Sequence, residues 1–383
     1  MITWLRQLQM PRIMPDRALT LALSALLLIG LVMVASSSVA MADRLTGQPL
    51  YFFNRQAIYA VFGLLVALVT VHVPMRVWQA NTFTLLGVGL MLVVLVLVPV
   101  IGHSVNGAQR WIDLGPISIQ ASEPARLCLL MYVAGYASRR QVALTTTWAG
   151  LLRPMIFMVI AAGLLLLEPN YGAAVVLITI AGMILFLAGA RLLPLCTLAG
   201  AGIGLLVLFA MASPYRMERL ASFSDPWADP FGSGFQLVQS LIAVGRGQIF
   251  GVGLGNSVQK LLYLPETHTD FLFAIYAEEF GLAGVLLVIR LFLLVVWRAF
   301  VIARRAVHQG QLFNGFVVYG LSGWLVLQAF INIGVNLGAL PTKGLTLPLM
   351  SYGGSSLVIC FVLIGLLLRV DMESRSADDG DSA

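Results

Sequence analysis

Ten apolar runs, each close to the length of a membrane-crossing helix, limit what this chain can become. A helix of about 20 apolar residues spans the hydrocarbon core of a bilayer, and it satisfies its own backbone polar groups where water cannot. The runs lie at about 18–41, 50–73, 80–101, 120–138, 150–168, 171–189, 193–213, 272–297, 313–338 and 353–370. They predict an all-α, polytopic integral membrane protein with about ten transmembrane helices. Composition agrees. Of 383 residues, 59% are apolar and 10% charged, against about 25% charged in a soluble domain. Most of the surface must therefore face lipid or other helices.

The predicted organisation is a short cytoplasmic N-terminus (1–17), a transmembrane domain (18–371) with one long loop (214–271), and a disordered cytoplasmic tail (372–383), which is polar, small and acidic. Arg6, Arg12 and Arg17 before the first run, with Ala40-Met41-Ala42 after it, imitate a secretory signal. The run is too long for a signal core of about 7–15 residues, so it reads as a retained first helix. Arg residues in short connections set orientation. With ten alternating helices, Arg76, Arg139, Arg140, Arg153, Arg191, Arg298, Arg304, Arg305, Arg369 and Arg375 share the N-terminal side. That side is assigned to the cytoplasm, with both termini on it. The net charge of +6 is thereby a membrane signature, and nucleic-acid binding is not expected. Cys128, Cys196 and Cys360 each lie in an apolar run and read as structural thiols, with no metal site among them.

Three segments assigned to the outer side are unlike simple connectors: Asn106 to Arg126, the long loop, and Leu340 to Ser356. Together they predict one outward-opening cavity. Within the long loop, Ser224-Asp-Pro-Trp-Ala-Asp-Pro230 is turn-rich. Apolar residues at 235, 238, 241 and 242 predict a helix along the membrane surface, with Gln236, Gln239 and Ser240 on its other faces. Gly245, Gly247, Gly251, Gly253 and Gly255 follow; such a run can cradle phosphate through its N–H groups, or simply turn close to other backbone. Glu266, His268 and Asp270 then precede an apolar helix. Desolvation at such a boundary raises a carboxylate's pKa and suits a general base, while helix capping by Thr269 or Asp270 is the plainer reading. Glu123 and Arg126 share a helix face at i, i+3, as a functional pair or a self-satisfied one. Lys343, among Pro, Gly and Thr, has the reach to meet an anion. Arg290, in mid-helix, receives no role.

Asn106-Gly-Ala-Gln-Arg-Trp-Ile-Asp-Leu-Gly115, Gln120-Ala-Ser-Glu-Pro-Ala-Arg126, Phe223 to Gly281 and Pro341 to Ser356 resemble the SEDS (shape, elongation, division, sporulation) family over about residues 17–371. Leu340-Pro-Thr-Lys-Gly-Leu-Thr-Leu-Pro348 is similar to the division branch; the elongation branch usually lacks the Lys. The resemblance implies a peptidoglycan glycosyltransferase that polymerises lipid II at the septum of the bacterial inner membrane. It implies as partners a class B penicillin-binding protein transpeptidase (FtsI-like) and FtsQ-FtsL-FtsB-like division proteins. The family's essential acid falls on Asp270, and its Glu-x-x-Lys pair on Glu123 and Arg126. Substrate-binding candidates on this footing are Glu123, Arg126, Lys343, Arg216, Arg219, Arg246, His268 and Ser351. A divalent cation (Mg or Mn) is a possible helper, with no dedicated cage in the sequence.

Three positions depart from the family pattern. Ala121 replaces the usual Pro, Arg126 replaces Lys with a different geometry, and Asn170 replaces the usual Asp after Pro169. Rival readings are a lipid II flippase, whose coupling residues would reach both membrane faces, a glycosyltransferase of the elongation branch, and a non-enzymatic division scaffold, which would not need Asp270, Glu123 and Arg126 together.

Overall fold

The computed structural model describes residues 15–97, 102–105, 108–113, 118–211, 223–341 and 344–381. In chain order its elements are α1 (Arg17–Thr46), α2 (Tyr51–His72), α3 (Met75–Ala80), α4 (Thr82–Val96), β1 (Gly102–Val105), β2 (Ala108–Asp113), β3 (Ser118–Gln120), α5 (Ser122–Arg139), α6 (Gln141–Thr146), α7 (Trp148–Leu167), α8 (Tyr171–Leu187), α9 (Leu192–Met211), α10 (Phe235–Gly247), α11 (Leu272–His308), α12 (Leu312–Asn336) and α13 (Gly354–Asp381). A helix stands at each of the ten apolar runs. Among the described residues six are long and apolar enough to cross a membrane: α1, α2, α7, α11, α12 and the Gly354–Ser376 part of α13. Helices α4 and α8 and the Leu192–Gly202 part of α9 are apolar but shorter.

The bundle is layered by polarity. Helix α5 is the enclosed one, and between Ser122 and Ala137 only Pro124 and Cys128 fall short of full burial. It packs against α4, α8 and α12. Leu21, Ile58, Phe62, Phe83, Ile156, Leu293 and Trp297 point outward, as a lipid-facing surface requires. Arg290 is exposed on α11.

An ionic knot closes the end that carries the N-terminus of α1. Asp16 caps α1, its Oδ1 accepting from Leu19 N at 2.9 Å, and it pairs with Arg298 and Arg375. Asp371 accepts from Asp16 N at 2.9 Å and pairs with Arg305 and Arg375. This knot corrects the expected tail. The chain beyond 371 remains helical through Asp381, with Met372 and Ser374 buried. The i, i+4 pairs Arg369–Glu373 and Asp371–Arg375 support it.

The opposite end carries the irregular segments. Part of the first is an antiparallel three-stranded sheet in the order β1-β2-β3, with Trp111 opposite Gln120 and Ile112 opposite Ile119. The sequence reading gave these residues no regular structure. Part of the long loop is helix α10, as its spacing predicted, but not with the expected faces. Ser240 is buried with Leu237, Val238 and Ala243, and its hydroxyl donates to Asn336 O at 2.8 Å. Helix α10 therefore packs on α11 and α12.

Helix α11 is broken at Gly281 (φ 62°, ψ −164°), and the glycine run explains the break. Val252 N and Gly253 N donate to the carbonyls of Glu278 and Glu279, each at 3.0 Å. In return, Leu282 N and Ala283 N donate to Gln248 O (2.9 Å) and Ile249 O (3.0 Å). The break frees helical backbone groups, and the loop satisfies them. The fit is close: a Cβ on Gly247 would lie 2.0 Å from Ala277 O, and one on Gly251 2.1 Å from Glu279 O. The glycines are thus used for backbone approach, the second of their two sequence readings.

Candidate functional site

A stripe on α12 organises the loop end of the bundle. Trp324, Gln328, Asn332 and Asn336 recur every fourth residue, so they line one face, and all four are buried. Each holds something different. Asn336 Nδ2 donates to Asp270 O at 3.0 Å, and its Oδ1 accepts from Ala274 N at 3.0 Å. Asn332 Nδ2 donates to Asp270 O at 2.9 Å and to Leu345 O at 2.6 Å. Gln328 bonds Thr346 O at 2.9 Å and accepts from Trp324 Nε1 at 2.7 Å. Trp324 lies beneath the Arg126 guanidinium, 4.5 Å from its ring centre.

Asp270 is accordingly fixed through its backbone carbonyl, which leaves its half-buried carboxyl to do chemistry. Helix α11 starts two residues later, and neither Thr269 nor Asp270 caps it. Burial lifts the Asp270 carboxyl to about 7; the Glu266 carboxylate adds to the rise and Arg110 opposes it. A Cβ on Gly344 would come 3.1 Å from Asp270 Oδ2, so the 344–348 segment closes on this carboxyl.

Arg126 and Glu123 form a buried pair at 3.6 Å, 2% and 5% exposed. The pair leaves Nε and Nη1 of Arg126 without a hydrogen-bond partner among the described residues. A buried guanidinium with unmatched donors is costly, and it is a ready receiver for an anion. Eight residues of α12, about 12 Å of helix, separate Trp324 from Asn332. Arg126 and Asp270 are therefore placed at different depths of one structure.

Other expected residues serve the scaffold. His268 is buried 4.3 Å from the Phe52 ring and 5.5 Å from that of Tyr352, and burial lowers its pKa. Its carbonyl accepts from Tyr352 N at 2.8 Å. Ser351 Oγ accepts from Leu347 N at 2.9 Å, and its carbonyl receives Gln56 Nε2 at 3.0 Å. Arg246 pairs with the buried Glu278 at 2.9 Å, which ties α10 to α11. Arg216, Arg219 and Lys343 lie outside the described residues.

Sequence reasoning missed Arg110 and Glu168. On β2, Arg110 donates from Nε to Glu168 O at 3.2 Å and from Nη2 to Pro169 O at 2.5 Å. Glu168 caps α7 and is 1% exposed. Its carboxyl oxygens have no hydrogen-bond partner among the described residues, and burial lifts it to about 8. Asn170 donates to Ser122 Oγ at 3.2 Å and caps α8 through Oδ1, so this departure makes it a linker between helices. The α12 stripe was visible as polar residues at i, i+4 within an apolar run. Arg110 had no local signal beyond its motif.

A lateral groove of about 690 Å³ opens between α1, the start of α2 and the 254–261 loop. Its lining is largely apolar, with Val32, Val39, Phe53 and Leu261 alongside Ser36 and Lys260. Thr267, three residues before Asp270, donates to Ser37 O on α1 at 3.0 Å, which connects the groove's wall to the site.

The cell cycle protein family model FtsW/RodA/SpoVE matches residues 17–376. The chain is 54% identical to a probable peptidoglycan glycosyltransferase FtsW of Thioalkalivibrio sulfidiphilus, over 94% of this chain and 90% of that one. It is 51% identical to the protein of the same description from Coxiella burnetii, over 94% and 97%. Among solved structures it is similar to a chain of a peptidoglycan synthase complex solved to show coordination of polymerization and crosslinking (TM-score 0.75, 31% identity, 94% and 98% coverage). It is also similar to the rod shape determining protein RodA of Thermus thermophilus (TM-score 0.69, 30% identity, 94% and 97%).

Proposed function

The chain belongs to the FtsW/RodA/SpoVE cell cycle protein family, and we propose from that premise how it works as a multi-pass membrane peptidoglycan glycosyltransferase of the FtsW type. It polymerises lipid II on the outer face of the bacterial inner membrane, at the septum, with both termini in the cytoplasm. The 4-hydroxyl of one lipid II attacks C1 of the growing chain's terminal sugar. The C1–O bond to the lipid diphosphate breaks, the anomeric centre inverts, and the hydroxyl proton passes to Asp270.

One observation carries this reading: a carboxyl lifted to about 7 is held by its own carbonyl at the loop end of the bundle. A base poised near neutral pH accepts a proton efficiently and is about half ionised at pH 7. The leaving diphosphate needs positive charge. Arg126 has unmatched donors for it, with Lys343, Arg216 and Arg219 as further candidates. The lateral groove has the lining for an isoprenoid tail. Mg or Mn on the diphosphate oxygens is part of the proposal. Among the described residues no cluster of three or more His, Cys, Asp or Glu stands ready to hold an ion, so the ion would enter with the substrate.

The synthase complex among the structural neighbours supports a class B penicillin-binding protein (FtsI-like) as partner. FtsQ-FtsL-FtsB-like proteins complete the proposed assembly. The test is Asp270→Asn, purified with the transpeptidase partner and given lipid II. Glycan strands should disappear while the partner still co-purifies. Strands made at the wild-type rate would remove Asp270 from the reaction.

A further inference from the structure

We propose that Lys260 binds the anionic head of a polyprenyl diphosphate whose tail lies in the lateral groove and runs on along α1. The inference rests on the reading of that groove as the place of an isoprenoid tail. It assigns the head to a cation outside the substrate-binding set.

The walls come first. Val32 and Val39 of α1, Phe53 of α2 and Leu254 of the loop line the groove, and among the described residues its polar side chains are Ser36 and Lys260. The apolar track continues beyond Val32. Leu21, Leu28, Val32 and Val39 follow one another at intervals of seven, four and seven, so they fall on one stripe of α1. All four are exposed. From Val32 back to Leu21 the stripe adds about 16 Å at 1.5 Å per residue, leading away from the loop end into the depth of the bilayer. A small soluble ligand has no use for such a track; a long hydrocarbon fills it.

A cation sits beside those walls. Lys260 Nζ donates to Ser36 Oγ at 2.9 Å and to Glu279 Oε1 at 2.8 Å. Ser36 Oγ in turn donates to the Glu279 carboxylate, 2.8 Å from Oε1. An ammonium carries three donors, so one N–H of Lys260 is left without an acceptor among the described residues. The Glu279 side chain is 0% exposed, while that of Lys260 keeps 11% and lines the groove. A ligand there meets the ammonium and not the carboxylate. Glu279 and Ser36 thus hold the charge in place without covering it. A cation against apolar walls in a membrane is costly until an anion joins it, and a lysine ammonium is a point-charge partner for phosphate. The same turn of α1 also anchors the loop that carries the base, since Ser37, next to Ser36, accepts at its carbonyl from Thr267 Oγ1 at 3.0 Å, three residues before Asp270.

The experiment titrates the full chain, purified with its transpeptidase partner, with undecaprenyl diphosphate, undecaprenol or phosphatidylglycerol, and reads bound lipid by native mass spectrometry. Combining Lys260→Gln with Glu279→Gln removes both charges and leaves no buried carboxylate unpaired. The double variant should bind undecaprenyl diphosphate about ten-fold more weakly than wild type, the worth of one hydrogen bond to a charged group. Its affinity for undecaprenol should not change. Glu279→Gln alone keeps the ammonium and removes its competitor, so it should bind undecaprenyl diphosphate more tightly than wild type. A lysine present merely to neutralise Glu279 would leave all three lipids bound as in wild type in both variants, which overturns the assignment. Should the double variant fail to fold, Glu279→Gln decides, and no gain in affinity overturns it.

Val39→Trp adds bulk to the groove from an exposed position and should weaken undecaprenyl diphosphate and undecaprenol alike. Unchanged binding of both in Val39→Trp overturns the underlying reading of the groove. Weakened binding there, with the double variant unchanged, overturns the role of Lys260 alone. Phosphatidylglycerol should bind wild type more weakly than undecaprenyl diphosphate; equal binding, with an equal loss in the double variant, would make the site one for any phosphate-headed lipid and overturn the polyprenyl assignment.

Discussion

Replacing Asn336 with leucine should remove one of the two amide bonds that hold Asp270 O, and loosen that residue's hold on the bundle, while keeping the core filled. The side chain is 0% exposed. Its amide donates to Asp270 O at 3.0 Å and to Asn332 O at 2.8 Å, and its carbonyl accepts from Ala274 N at 3.0 Å. Each such bond contributes about 1 kcal/mol net. Ala274 N keeps a bond to Phe271 O at 3.1 Å, and Asp270 O keeps Asn332, so neither group is orphaned. The sum is a loss of about 3 kcal/mol; leucine branches at Cγ as asparagine does but is bulkier, so overpacking adds about 1–3 kcal/mol and no cavity opens. Thermal melting in detergent should fall by several degrees. Activity should suffer more than folding, since a displacement of about 1 Å at the reacting groups costs about 100-fold in rate. The assay is single-turnover polymerisation of lipid II at a temperature where melting shows the variant fully folded. A rate within two-fold of wild type there would refute the claim that α12 positions the base.

Two further outcomes follow from the geometry. Burial lifts Glu168 from the ordinary 4.5 of a glutamate to about 8 in the folded chain; a raised carboxyl contributes its full stability below about 4.5 and loses it as pH rises through about 8. Glu168→Gln, neutral throughout, should melt with wild type near pH 4.5 and increasingly above it toward pH 8. At about 1.4 kcal/mol per pH unit, that gain has an upper bound of about 5 kcal/mol, and a constant offset across the range would rule out a buried acid. At Gly281, alanine would have to adopt φ 62° with its Cβ 2.4 Å from Gly251 N. Strain of about 1–3 kcal/mol plus that clash should expose the 247–253 loop to protease, and unchanged proteolysis would contradict the packing described for it.

The helices were legible because a bilayer demands long apolar runs, and nothing else in this composition could supply them. The exceptions show what that signal cannot carry. Residues 102–120 alternate too briefly to read as strands, and the sheet they form is completed by tertiary anchors such as Ser355. Arg246 looked like an anion receptor because its partner, Glu278, is 32 residues away. Asp270, Glu123 and Arg126 could be singled out as ionisable groups where such groups are costly. Their division between two depths could not, because it depends on which turn of α12 each one meets. Trp324, Gln328, Asn332 and Asn336 were readable by spacing, yet each is common enough in an apolar helix to pass as filler. Glu168 and Arg110 meet only through folding, since 58 residues separate them.

The interruption of α11 has a mechanical consequence. Four backbone bonds join residues 248–253 to both sides of the gap, so the loop is stitched into the spanning helix by main chain, at an approach that only glycines at 247, 251 and 281 admit. A pull on that loop by any bound protein is therefore transmitted to the short rod from Leu272 to Phe280, whose leading end follows Asp270 directly. The remainder of the helix, beyond the glycine hinge, can stay still.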